Sequence, residues 1–164
     1  REGAADLLVR LLGDGIGPRA VDPATVLAAL DAVRDASAGS SRATSDARAG
    51  ATGTERERAI AVARAVGAGE VLVGRAAGTA DRLTLSAVLL DAASGAERAA
   101  AVVTGSADGL AALVDALAVR LVARRAVGEE RAGTFAGATL PVLRAYLRAE
   151  AAYRADRYQE AMTL

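Results

Sequence analysis

The sequence contains no cysteine, no histidine and no lysine. It therefore offers no disulfide, no thiolate nucleophile, no imidazole base, no Schiff-base amine and few ligands for a transition metal. Carboxylates, hydroxyls, tyrosines and arginines are what remains for catalysis. A pair of carboxylates can catalyse a reaction only if burial shifts the pKa of one of them, so catalysis by this chain would require a buried carboxylate.

Two pairs of glutamates are candidates for that route, namely Glu55 with Glu57 and Glu129 with Glu130. Glu57 also fits a capping box with Thr54, and the second pair lies in a polar segment. Helix initiation and solvation explain these positions better than catalysis does. We therefore expect no catalytic, cofactor-binding or metal-binding residue and no enzymatic activity within these residues.

Aromatic residues are also scarce, at 2% against a hydrophobic fraction of 52%, so the core must consist of alanine, valine and leucine. The formal net charge is zero, so no basic surface argues for nucleic acid or an anionic membrane as a partner. The apolar runs stop well short of the ~20 residues that a membrane span requires. All 20 basic residues are arginine, which we attribute to a GC-rich genome rather than to phosphate binding.

Glycine-rich segments carry the few motif-like patterns. Residues 15–20 match the form GxGxxA of a dinucleotide site, but such a site follows a strand, and here a helical pattern precedes it. Residues 13–15 and 106–109 resemble pieces of a calcium loop without its alternating oxygen ligands. Turns and helix caps explain all three segments better.

The beginning of the chain has a helical pattern that turns interrupt. Leucine spacing predicts a short helix over residues 7–12, and a short strand is predicted at residues 19–21. Asp22 can cap a helix that begins at Pro23, where a missing N–H costs nothing.

Residues 36–53 contain no large apolar side chain, which predicts a mobile loop. Helix resumes at Thr54, which forms a capping box with Glu57. Gly67 or Gly69 is expected to end this helix.

The middle of the chain changes to a period of two. Residues 70–75, 83–90 and 97–104 are predicted to be three consecutive strands of an antiparallel meander. Ser106 is predicted to cap a long helix that follows them.

The last part of the chain is predicted to be helical. After a polar connector over residues 128–138, a helix is expected over residues 140–153, and a second helix begins at Asp156, whose capping box would include Gln159. The expected fold class is therefore α/β: a small mixed sheet with a three-strand antiparallel meander and flanking helices, followed by an α-helical hairpin.

Three of the four aromatic residues, Tyr146, Tyr153 and Tyr158, lie in the last quarter of the chain. Their helical spacing makes them candidates for the core. An aromatic recognition surface is the alternative, and without basic residues between them it does not point to nucleic acid.

The segment from Ala61 to Glu97 resembles the TolB-like N-terminal domain of bacterial signalling proteins. The positions that carry the likeness are Gly67, Gly74, Arg82, Leu85, Leu89, Asp91 and Gly95. Arg75 stands where the family often has serine, and the tryptophan common after the hairpin turn is absent. The resemblance implies a domain over residues 1–127 whose first strand is missing from this chain.

The segment from Leu140 to Leu164 resembles the first helix and part of the second of a tetratricopeptide repeat. Ala149 and Ala161 stand at the positions of close helix approach, Tyr153 and Tyr158 at aromatic positions, and Asp156 replaces the usual turn glycine. The resemblance implies that residues 139–164 are a truncated first helix pair of a longer array.

Together the two resemblances imply a regulatory or scaffolding module of a larger bacterial signalling protein, in which a serine/threonine kinase or a DNA-binding regulator domain lies elsewhere. The implied partner is a protein or peptide bound by the repeat array. An envelope-associated assembly protein and a small-molecule-sensing domain, using the crevice near residues 13–18, are the alternatives. The sequence leaves the location unknown, on the cytoplasmic or the extracytoplasmic side of a membrane-anchored bacterial parent protein.

Overall fold

The computed structural model describes residues 20–40 and 50–164. This part of the chain forms an α/β fold, as the sequence predicts. Its elements are α1 (Pro23–Ser40), α2 (Gly50–Ala65), β1 (Glu70–Gly78), β2 (Leu83–Asp91), β3 (Glu97–Gly105), α3 (Leu110–Val127), α4 (Glu129–Ala132), α5 (Leu140–Arg154) and α6 (Tyr158–Ala161). Two 3₁₀ turns, Ala107–Gly109 and Gly133–Phe135, precede α3 and follow α4.

The three strands form an antiparallel sheet in the order β1-β2-β3, which confirms the predicted meander. Strand β1 extends three residues beyond its predicted end at residue 75. The β1–β2 turn is closed by a hydrogen bond from the Thr79 amide to the Arg82 carbonyl at 3.2 Å. Gly78 has a φ of +120°, and a Cβ there would collide with that carbonyl, so the turn requires glycine.

The chain packs as two compact units. The first contains Gly74–Ala87 and Ala99–Leu164, and the second contains the described residues of Val21–Val73 together with Val88–Arg98. The predicted division into domains at residues 127 and 139 stays a prediction.

In the second unit, α2 holds the turn between β2 and β3. Arg64 donates from Nε to the Ala92 carbonyl and from Nη2 to the Ala93 carbonyl, both at 2.7 Å. Gly95 closes the turn with a φ of +72°. Gly67 ends α2 at a φ of +69°, and the Gly67 and Ala68 amides bond back to helix carbonyls as in a Schellman motif.

In the first unit, α3 supplies more of the buried side chains than any other element. Val114, Leu117 and Leu121 of this helix are buried. A core cluster then joins α3 to α5 and consists of Ala118, Val119, Ala123, Leu140 and Leu143. Ser106 accepts a hydrogen bond from the Asp108 amide at 3.3 Å, so the predicted cap acts on the 3₁₀ turn that leads into α3.

The predicted mobile loop over residues 36–53 is wrong at both ends. Helix α1 continues to Ser40, and α2 begins at Gly50, four residues before the predicted start at Thr54. Ala36 and Ala38 favour the extension of α1, because alanine has the highest helix propensity. The start of α2 at Gly50 has no such explanation, since residues 50–53 include two glycines. Residues 41–49 lie outside the described residues.

The polar connector over residues 128–138 also needs correction. It contains α4 and a 3₁₀ turn, and Ala132 and Phe135 pack against the core cluster of α3 and α5. Glu129 pairs with Arg124 at 2.7 Å and stands in the first turn of α4, where the helix dipole favours a negative charge.

The predicted helix over residues 7–12 and the glycine-rich segment at residues 13–18 lie outside the described residues, as does most of the GxGxxA match. Ala20 and Val21, predicted to end a short strand, have no regular structure. In the part of the chain that is described, no helix combines the length and apolar character needed to cross a membrane.

Candidate functional site

Helix α5 is positioned by one buried face. Thr139 precedes it with extended dihedral angles, and Pro141 stands in its first turn, where no backbone donor is lost. Leu140 and Leu143 are completely buried in the core shared with α3. This packing fixes which face of α5 points outward.

The outward face of α5 is apolar, although it faces solvent. Val142, Tyr146 and Tyr153 are 59%, 42% and 63% exposed. With Ala149 they recur at intervals of four, three and four residues, which places them on one side of the helix. The face therefore forms a continuous apolar stripe.

The turn after α5 depends on Asp156, whose φ is +59°. The Asp156 amide bonds to the Tyr153 carbonyl, and the Arg157 amide bonds to the Ala152 carbonyl, as in a Schellman motif. Asp156 thus takes a left-handed conformation, which usually requires glycine. Its side chain accepts a hydrogen bond from the Tyr158 hydroxyl at 2.7 Å, and α6 begins at Tyr158, so the predicted capping box with Gln159 is wrong.

Two aromatic pairs flank the outward face of α5. The rings of Tyr153 and Tyr158 meet edge to face with centroids 5.3 Å apart, and those of Phe135 and Tyr146 are 5.0 Å apart at 56°. The hydrogen bond to Asp156 raises the pKa of Tyr158. These contacts hold the tyrosine rings in place while their outer surfaces stay exposed.

Between α5 and α6 lies an open cavity of about 430 Å³, which we call the α5–α6 cavity. Its lining residues are Tyr146, Ala149, Glu150, Tyr153, Tyr158, Ala161 and Met162. The two alanines provide space, and the tyrosines and Met162 form apolar walls. Glu150 is the one charged residue of this lining, and its carboxylate pairs with Arg154.

The polar groups of the cavity lining are the tyrosine hydroxyls and the carboxylate of Glu150. The described residues hold no cluster of three or more carboxylate, imidazole or thiolate side chains that could bind a metal ion. The glutamates weighed from the sequence are all exposed, and none of them is among the residues that line the cavity: Glu55 and Glu57 are on α2, and Glu129 and Glu130 are on α4.

The interpretation of the three tyrosines as core residues is wrong, because Tyr158 is also 50% exposed. The large side chains of α5 that are buried are instead those of Leu140 and Leu143. Sequence reasoning missed Val142 and Met162, the second of which is 74% exposed. The spacing of Val142 relative to Tyr146 and Tyr153 was the available signal.

A second polar cluster surrounds Asp91 at the β2–β3 turn. Its carboxylate accepts hydrogen bonds from the Ser94 amide and hydroxyl at 2.8 Å and pairs with Arg98 at 2.7 Å. The Ser94 amide, and then Arg98, hold the pKa of Asp91 well below its usual range. This arrangement stabilises the turn and satisfies the carboxylate, so it leaves no open coordination site.

Searches against protein-family models, curated proteins and solved structures find no match to this chain. The TolB-like and tetratricopeptide resemblances therefore stay predictions.

Proposed function

We propose that this chain is a non-catalytic regulatory or scaffolding module of a larger bacterial signalling protein, and that the α5–α6 cavity binds a protein or peptide partner. The observation that carries the proposal is the exposure of tyrosines that are held in place by other contacts. Ordered aromatic rings lose little conformational entropy when a partner covers them.

The size of the exposed surface supports this proposal. A tyrosine side chain offers on the order of 200 Å², so three half-exposed tyrosines present roughly 300 Å². Contiguous apolar patches of a few hundred Å² on a protein surface often mark interaction sites. Tyrosine and methionine are also enriched at protein interfaces.

The composition of the cavity favours a protein partner over a small polar ligand. Sites for small molecules combine an apolar pocket with several convergent polar groups. Here Glu150 is the one charged lining residue, and it is already paired with Arg154. The small-molecule alternative therefore finds no support in this cavity.

The helix pair fits the proposed tetratricopeptide assignment. Ala149 and Ala161 line the same cavity, and Asp156 adopts the left-handed turn conformation. In a helical repeat each unit buries its apolar face against its neighbours, and the array presents a binding groove. We propose that α5 and α6 belong to such an array.

Photo-crosslinking tests the binding site directly. A benzophenone amino acid replaces Tyr153, or replaces Arg148 on the same helix outside the cavity lining as a control. We expect an adduct of defined mass from position 153 and not from position 148. Equal labelling from both positions, or none from either, would contradict the proposal.

A further inference from the structure

Two arginines of α3 reach the backbone of β3. Arg120 donates from Nη1 to the Val102 carbonyl, and Arg124 donates from Nη1 to the Ala100 carbonyl. Strand β3 is the last strand of the described sheet, with β2 on its other side. The arginines therefore occupy carbonyls on the edge of β3 that is not paired with β2.

The spacing of donors and acceptors matches. Residues four apart on a helix are separated by about 6 Å along its axis. Residues two apart on a strand are separated by about 6.7 Å, and their carbonyls point to the same edge. Arg120 and Arg124, which we call the arginine pair, thus face Val102 and Ala100 in register.

The β3 segment beside the arginine pair has the composition of a strand that pairs readily with a strand of another chain. Residues 99–103 read AAAVV, without charge or proline, and Val102 is 55% exposed. An uncharged apolar edge strand is a template for pairing with a strand of another chain. Arg124 is further held by its ion pair with Glu129 at 2.7 Å.

We propose that the arginine pair closes the β3 edge of the sheet and prevents β3 of a second copy of the chain from pairing there. The guanidinium groups satisfy the outward carbonyls and place two positive charges along the edge. An incoming strand would have to displace both of them. The function of these residues is therefore to keep the sheet from extending through β3.

The test compares R120A/R124A with R144A/R148A, a control that removes two arginines, also four apart, from α5. By light scattering after size-exclusion chromatography, we expect the average mass of R120A/R124A to rise at least about twofold relative to the wild type. The control should match the wild type. Adding V102K to R120A/R124A should reverse the association. Where the β3 edges of two copies pair, the lysine at position 102 of one copy would oppose the lysine of the other copy, and the two like charges would repel.

Unchanged mass of R120A/R124A, or equal association of the control, would overturn the proposal. If R120A/R124A does not fold, hydrogen exchange of the backbone amides of β3 in the wild-type protein tests the proposal instead. The Ala100 and Val102 amides share the outward edge, so they should exchange faster than those of Ala101 and Val103. Equal protection of all four would show that the edge is already paired and would refute the proposal.

Discussion

The ring of Tyr158 stands edge-on to the ring of Tyr153, with 5.3 Å between their centroids and 71° between their planes. The Tyr158 hydroxyl also donates to Asp156 at 2.7 Å. Ring pair and hydrogen bond together tie α6 to the end of α5. Contacts within the chain therefore fix this wall of the α5–α6 cavity.

Replacing Tyr158 with phenylalanine should make stability less dependent on alkaline pH. The pKa of Tyr158 is raised in the folded protein by its bond to Asp156, so its contribution is complete below about pH 10, the ordinary tyrosine pKa, and is lost as pH rises through the folded pKa. Urea unfolding at pH 8 and above pH 10 measures this. Y153F is the control. If Y158F and Y153F lose unfolding free energy equally over that pH range, the pH dependence does not come from the Tyr158 hydroxyl.

Replacing Asp91 with asparagine should destabilise the protein at neutral pH but not in acid. The pKa of Asp91 is depressed by Ser94 and Arg98, so its contribution is complete above about pH 4 and is lost as pH falls through the folded pKa. The gap in unfolding midpoint between the wild type and D91N should shrink below pH 4. D81N, in the exposed β1–β2 turn, is the control, and a gap for D91N that stays constant with pH would contradict the role given to Asp91.

Replacing Gly67 with alanine should cost about 1–2 kcal/mol of unfolding free energy, because its φ of +69° is left-handed. Gly133 is a matched control, with a φ of −58° and open space around its Cβ position. Alanine there should be neutral or stabilise by about 0.5 kcal/mol. Equal effects in chemical denaturation would show that backbone conformation does not decide them.

Replacing Leu143 with alanine should cost about 2–5 kcal/mol, because it removes a buried side chain from the core between α3 and α5. The adjacent Val142 faces outward, and V142A should change stability by less than about 0.5 kcal/mol. Hydrogen exchange of L143A should also rise in α3. If it rises in α5 alone, the two helices do not share one core.

Strong local patterns made much of the fold predictable. Alternating side chains between turn residues indicated the three strands, and Asp22 caps α1 as expected, through a 3.1 Å bond to the Thr25 amide. The end of α1 was not predictable from apolar periodicity, because alanine extends a helix without marking a face. The start of α2 was not predictable either, because residues 50–53 include two glycines. Phe135 packs against the core cluster of α3 and α5, so the connector over residues 128–138 contributes to the core. This is a tertiary contact, which no local sequence pattern encodes.

The candidate site was less accessible to sequence reasoning. Helical spacing of Tyr146 and Tyr153 indicates a shared face, but it does not tell whether that face is buried. The face of α5 that carries Leu140 and Leu143 packs against α3 instead, because these leucines meet the alanine-rich surface of α3. Exposure of the tyrosines is therefore a tertiary result.

The binding role of the α5–α6 cavity is tested most directly by the affinity of Y153A for the partner recovered by crosslinking. Leu27→Ala on α1 is the control, since Leu27 is also a large exposed apolar side chain. Isothermal calorimetry should show at least about a tenfold loss of affinity for Y153A, or 1.4 kcal/mol, and none for L27A. Equal affinity of Y153A and the wild type would contradict the proposed function.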